Sequence, residues 1–238
     1  MDEHFRVSQE GASLQRMRIE QGDIESMRPG GWLTDNCIRE VIARFGNFKT
    51  SRVNIVDPTW LNQWIQFGGH IPEITPVFFK PHHGVTTVQG LAIPFNEGNS
   101  HWSALYVDLE HCGAIYFNTL SNMEREQNAR NLMQYFYSTF REFFQEKGQT
   151  RFRFVVDEKS PNQGDGCSCG IYVAAAVVDL LAMARPRTER LTAEQIKIFR
   201  ENGVKWLAEA PKVWDWLNRD SPFKLKLKKE VHWDPSIP

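Results

Sequence analysis

The sequence has little of what marks most specialised protein classes. Four cysteines in 238 residues are too few for the disulfide framework of a small secreted domain. Neither sign of charge dominates. Lys and Arg total 28 against 29 Asp and Glu, a formal net charge of -1, and a dedicated nucleic-acid binder would carry a basic excess. No apolar run approaches the roughly 18 residues of a membrane span. The opening MDEHFRVSQEG is too polar and acidic for a secretory signal. No CxxC or HxxxH spacing supports a zinc site among His70, His82, His83, His111 and Cys112. No internal repeat or low-complexity block is present. What the chain does have is 41% hydrophobic and 12% aromatic content, enough for a sizeable core in one large domain or two small ones. The expectation is an intracellular globular protein with reduced thiols, in nucleus or cytoplasm, a monomer with no nucleic-acid or membrane partner.

Along the chain, residues 1–22 read as a polar arm, with a short helix around Leu14 to Ile19, and folded structure begins near Asp23. Arg28-Pro29-Gly30-Gly31 reads as a turn. Thr34 or Asp35 can cap a helix over 36–45, whose face carries Ile38, Val41, Ile42 and Phe45. Pro58 can open a second helix to about Phe67, ended by Gly68-Gly69. The period then shortens. Strands are expected at 77–79, 88–95, 103–108 and 114–117, the last two as a hairpin. A long helix over 123–147 follows, capped by Ser121 or Asn122, with Ala129, Leu132, Met133, Phe136, Phe140, Phe143 and Phe144 on one face. Residues 151–156 alternate as a strand. An apolar helix over 168–184 comes next, then one to about Glu209 opened by a Thr192/Gln195 capping box, and a Trp-containing turn at 211–217. The segment 219–238 is a basic tail. Strands in the middle flanked by helices give an α+β class.

Three segments can carry chemistry. In Gln163-Gly164-Asp165-Gly166-Cys167-Ser168-Cys169-Gly170 a glycine-rich loop enters a buried helix. Cys169 at the helix N-terminus would meet unpaired N–H groups and the dipole, which lower a thiol pKa. Gly170 would let a substrate backbone approach closely, and Gln163 could reach round the loop to donate to an oxyanion. The alternative is a packed, inert cysteine. In His101-Trp102-Ser103-Ala104 a histidine opens a strand beside a loop. In Tyr116-Phe117-Asn118-Thr119-Leu120-Ser121-Asn122 an asparagine ends its hairpin partner, beside that histidine. A histidine with a polar orienter and a helix-start cysteine is the layout of a thiol hydrolase.

Taken together, Trp32-Leu33-Thr34-Asp35, His101-Trp102, the segment from Tyr116 to Asn122, and Gln163 with Cys169-Gly170-Ile171-Tyr172-Val173 resemble the ubiquitin-like-protein proteases, clan CE cysteine peptidases that include the SUMO-deconjugating enzymes. The resemblance runs over about residues 23–185 and implies a papain-like fold with a central, mostly antiparallel sheet flanked by helices, in a catalytic domain over 23–218. It implies a nucleophile at Cys169, a general base at His101, an orienter at Asn118 and an oxyanion donor at Gln163. Trp32 and Trp102 would roof a tunnel for the Gly-Gly tail of a modifier, SUMO or ubiquitin, and Asp35 would lie on the modifier-binding surface. No cofactor or metal is implied. The chain departs from the family at Asn118, where Asp is usual. An Asn can accept from the ring N–H but brings no charge, so Asp108 stands as an alternative orienter. Cys167 competes with Cys169 as nucleophile. YopJ-type acetyl transfer, a viral-type processing protease and a modifier-binding pseudoprotease are the other readings. So is delivery into a host cell as an effector.

Overall fold

The computed structural model describes residues 19–47, 51–59, 61, 87–146, 148 and 151–209. The expected helix after Pro58 beyond Leu61, the strand at 77–79, the Trp-containing turn, the basic tail and nearly all of the N-terminal arm lie outside these residues.

The described chain builds a five-stranded sheet in sequential order, β1 (Val53–Ile55), β2 (Gly90–Asn96), β3 (Trp102–Asp108), β4 (Gly113–Phe117) and β5 (Arg153–Val156). The three central strands pair antiparallel, and β1 and β5 add parallel at the two edges. The sheet is therefore mixed, with an antiparallel centre.

Both faces of the sheet are covered, which explains the near-continuous apolar runs in β2 to β4. Side chains alternate between the two faces. Ala92, Trp102, Ala104, Ile115 and Phe117 point to one side. There they meet α2 (Asp35–Phe45) through Cys37, Ile38, Val41 and Ile42, and α5 (Cys169–Leu181) through Ile171, Val173, Ala174 and Val177. Leu91, Ile93, Phe95, Leu105, Val107, Ala114 and Tyr116 point to the other, against Ala129, Met133 and Phe136 of α3 (Met123–Thr139) and Phe144 of α4 (Arg141–Glu146).

The single helix expected over 123–147 is two. Phe140 leaves the helical region at φ -99°, ψ 23°. Neither proline nor glycine marks the bend. Core packing sets it instead, since Phe136, Phe140 and Phe144 all stay buried in one cluster, with the first two rings 4.6 Å apart.

A short helix not expected from the sequence, α1 (Gln21–Ser26), precedes the turn at Gly30, whose φ is +79°. Its Asp23 is buried and takes hydrogen bonds from Thr34 Oγ1 (2.6 Å), Asn36 Nδ2 (3.0 Å) and the Glu20 N–H (2.8 Å). Thr34 itself caps α2 by accepting from the Cys37 N–H. The last helix, α6 (Ala193–Glu209), opens on the expected box, with the Thr192 N–H donating to Gln195 and the Gln195 N–H to Thr192. It lies close against α1, because a side chain at Gly203 would run into Met27.

Candidate active site

The hairpin β3–β4 brings the first two candidates together. Its register pairs Ala104 with Phe117, so His101, just before β3, and Asn118, just after β4, face each other diagonally. The His101 ring nitrogen Nε2 lies 2.7 Å from Asn118 Oδ1. The orientation of the amide is fixed by its other bonds. Asn118 Nδ2 donates to the Leu120 carbonyl at 2.7 Å, and the Leu120 N–H donates to Oδ1 at 3.0 Å. Oδ1 therefore faces the ring, Nε2 carries the proton, and Nδ1 is the basic nitrogen of the neutral imidazole.

Asp108 is not an orienter. It ends β3 at the opposite end from His101 and binds the His111 side chain and the N–H groups of Glu110 and His111.

Cys169 opens α5 on the same side of the sheet as Trp102. The backbone N–H groups of Trp102, Gly170 and Cys169 itself face its sulfur. The nucleophile candidate thus lies beside the residue that follows the candidate base. The helix N-terminus does not lower this thiol's pKa as the sequence suggested. Burial outweighs the three N–H groups and pushes it up. Burial likewise pushes His101 below its ordinary value, against the Asn118 hydrogen bond. Both groups are thereby biased toward their neutral forms.

Gly170 does not open space for a substrate. The position a Cβ would take lies 2.9 Å from Leu33 Cβ, so the missing side chain admits Leu33. Gln163 is buried and tied into the loop. Its Oε1 accepts from Thr119 Oγ1 and its Nε2 donates to the Asp165 carbonyl, both at 2.5 Å, which leaves one amide N–H over. Asp165 holds the turn before Cys169. Its carboxylate accepts from the Cys167 N–H (2.8 Å), the Ser168 N–H (2.7 Å) and Ser168 Oγ (2.7 Å), and these bonds draw its pKa down against burial.

The two tryptophans differ. Trp32 is 49% exposed, whereas Trp102 is 4% exposed and its indole N–H donates to the Leu33 carbonyl at 2.8 Å. Trp102 is therefore a core wall beneath the segment that carries Trp32. Asp35 is held in an ion pair with Arg39 at 2.6 Å, and Arg39 also binds Asp57.

Sequence reasoning missed Glu97. Its backbone N–H donates to the His101 carbonyl at 2.7 Å, while its carboxylate accepts from Tyr116 OH (2.6 Å) and Arg125 (3.1 Å). Nothing in a loop glutamate announces those partners. Among the described residues no group of three or more His, Cys, Asp or Glu could hold a metal, and no helix is long and apolar enough to cross a membrane.

Residues 38–210 match the C-terminal catalytic domain of the Ulp1 protease family. The chain belongs to this family. It is accordingly a member of a group of cysteine proteases of the ubiquitin-like-protein pathway. No curated protein matches it. Among solved structures it is similar to the C-terminal Ulp1 protease domain in complex with Smt3, the yeast orthologue of SUMO, at 15% identity, covering 83% of this chain and 90% of that one with a TM-score of 0.51. The Ulp1-like SUMO protease catalytic domain of Chaetomium thermophilum matches at 13% identity over 76% and 74% of the two chains, TM-score 0.51. The Xanthomonas campestris effector XopD bound to ubiquitin matches at 16% identity over 77% and 93%, TM-score 0.45. At these identities the likeness is one of fold.

Proposed function

We propose that this chain is an isopeptidase and endopeptidase that cleaves after the C-terminal Gly-Gly of a ubiquitin-like modifier, SUMO first, by Cys-His-Asn catalysis. The observation that carries the reading is the His101-Trp102 dipeptide. One residue's ring is locked to Asn118 with Nδ1 left basic, and the next residue's N–H faces the Cys169 sulfur. Because burial favours the neutral thiol, the sulfur gives its proton to His101 Nδ1 as it attacks the glycine carbonyl. The tetrahedral oxyanion is met by backbone N–H at Cys169 and by the spare amide N–H of Gln163. His101 returns the proton to the leaving lysine amine, and water, deprotonated by the same ring, resolves the thioester. Trp32 covers the Gly-Gly strand, and a flat wall there excludes residues with side chains. Asp35, held by Arg39, lies on the modifier-facing surface.

SUMO is placed first because the similar Ulp1 domain was solved in complex with Smt3. The test is a panel of SUMO paralogues and ubiquitin carrying a C-terminal fluorogenic amide, with Cys169→Ala as the blank. Release from a SUMO substrate, absent in Cys169→Ala, is the expected result. Release from ubiquitin alone would move the modifier assignment, and release undiminished in Cys169→Ala would end the mechanism. A second reading, a modifier-binding protein with slow turnover, is favoured by one feature, the burial that pushes the Cys169 thiol up. Tight modifier binding with no release of fluorophore would support it.

A further inference from the structure

Arg200 is the largest fully buried side chain among the described residues, at 1% exposure. Among those residues no carboxylate pairs with it, and its recorded hydrogen bonds all go to backbone carbonyls. Nη1 donates to Ser26 (3.3 Å) and Arg28 (2.9 Å), and Nη2 donates to Cys167 (3.0 Å). A buried guanidinium without a counter-ion is costly, so this fixed fork is held where it is by what it binds. It ties together two segments far apart in sequence, the turn that leads to Trp32 and the turn that leads to Cys169. The close Gly203–Met27 contact one turn along α6 lets it reach both.

The Cys167 contact is the informative one. The peptide unit joining Cys167 to Ser168 has its carbonyl bound by Arg200 and its N–H bound by the Asp165 carboxylate at 2.7 Å. Opposite charges thus grip the two edges of a single peptide plane. The next peptide carries the Cys169 N–H, which faces the sulfur and which the mechanism proposed above aims at the oxyanion. Rotation of the first plane would turn the second through the Ser168 dihedrals, now at φ -94°, ψ 0°.

We infer that Arg200 is a positioning residue for the nucleophile: with Asp165 it locks the Cys167–Ser168 peptide, and through it the aim of the Cys169 N–H and sulfur. This rests on Cys169 being the nucleophile, as proposed above. A misaimed donor acts on the transition state and leaves modifier binding untouched, so the loss falls on kcat and not on KM.

The test uses the full chain and whichever modifier substrate the wild type cleaves. Arg200→Ala is expected to lose about 30-fold or more in kcat, with KM within about threefold and a folded near-ultraviolet spectrum. Arg200→Lys, which keeps three donors and the charge, is expected to recover about tenfold of that loss. Should Arg200→Ala fail to fold, Asp165→Ala releases the other edge of the same peptide from an exposed position, and a comparable kcat loss is expected. A folded Arg200→Ala with kcat within about threefold of wild type, or a loss confined to KM, would overturn the inference. So would an Asp165→Ala variant at wild-type kcat. If the wild type cleaves no modifier, the proposed function fails by itself. Chloroacetamide alkylation of Cys169 then still decides, since it needs no modifier. An alkylation rate about tenfold lower in Arg200→Ala supports the lock, and an unchanged rate refutes it.

Discussion

The two halves of the site are built in different ways. The half that carries the base is a hairpin. His101 and Asn118 sit at adjoining strand ends, and the chain between them is held by a regular ladder with buried side chains on both faces. The half that carries the nucleophile is a loop without a ladder. It is held by side chains reaching in from distant places, with Thr119 bonded to Gln163, Arg185 to Asp157 and Arg200 to the Cys167 carbonyl. A hairpin fixes its end residues through many small, redundant contacts. A loop hung on charged groups depends on each of them. Away from the catalytic groups themselves, the base half should therefore answer mutation chiefly through stability, and the nucleophile half chiefly through rate.

The largest expected effect is at the catalytic end of the hairpin itself. Asn118→Ala removes the lock on the His101 tautomer and should lower kcat about 10²- to 10⁴-fold in a fluorogenic assay. Asn118→Asp sharpens the point. Its second oxygen would face the Leu120 carbonyl that now accepts from Nδ2 at 2.7 Å. The aspartate should therefore leave kcat/KM at or below wild type, and a gain of about tenfold would contradict the geometry. Next comes Leu105→Ala, within the hairpin and fully buried. It should cost about 2–5 kcal/mol in urea unfolding while the remaining folded enzyme turns over normally. Asp165→Ala should do the reverse, costing about 1 kcal/mol of stability, as loss of a helix cap does, despite its effect on rate.

The smallest effects are in pH dependence, and here the halves separate by sign and range. His101 is held below its ordinary 6.5, so the unfolded chain takes up a proton that the folded chain resists. Stability from this group is complete above about pH 6.5 and is lost as the pH falls below it. Asp165 is held below its ordinary 3.8, so its contribution is present above that value and is lost only as the pH falls through the lower, folded one. Equilibrium unfolding followed from pH 7.5 to 3 should thus show His101→Gln flattening the decline below about 6.5, and Asp165→Asn flattening only the stretch below about 4. An identical response to the two substitutions would break the distinction.

The same contrast governs how much could be read from the sequence. The hairpin was legible because alternation and a short turn specify a ladder, and a ladder specifies which residues meet at its ends. His101 and Asn118 follow from that alone. Cys169 was legible as a residue at a helix start, but its electrostatics were not. Helix position argues for a lowered thiol pKa, and only the packing reveals that burial wins. Trp102 and Gly170 both meet the segment around Leu33, which approaches from another part of the chain, and neither contact has a sequence signature. Glu97 and Arg200 could not be found at all, since their partners are backbone carbonyls and side chains with no sequence signature. The bend at Phe140 belongs with them, set by a shared core and not by any local breaker.

The central claim is that the Cys169 sulfur and the His101 ring act on one substrate carbonyl. It is tested most directly by treating the chain with SUMO bearing a C-terminal propargyl group and mapping the adduct, in wild type and in His101→Ala. The account predicts an adduct on Cys169 in the wild type that is lost or greatly slowed without the imidazole. An adduct on Cys167, or one on Cys169 that forms equally fast in His101→Ala, would contradict it.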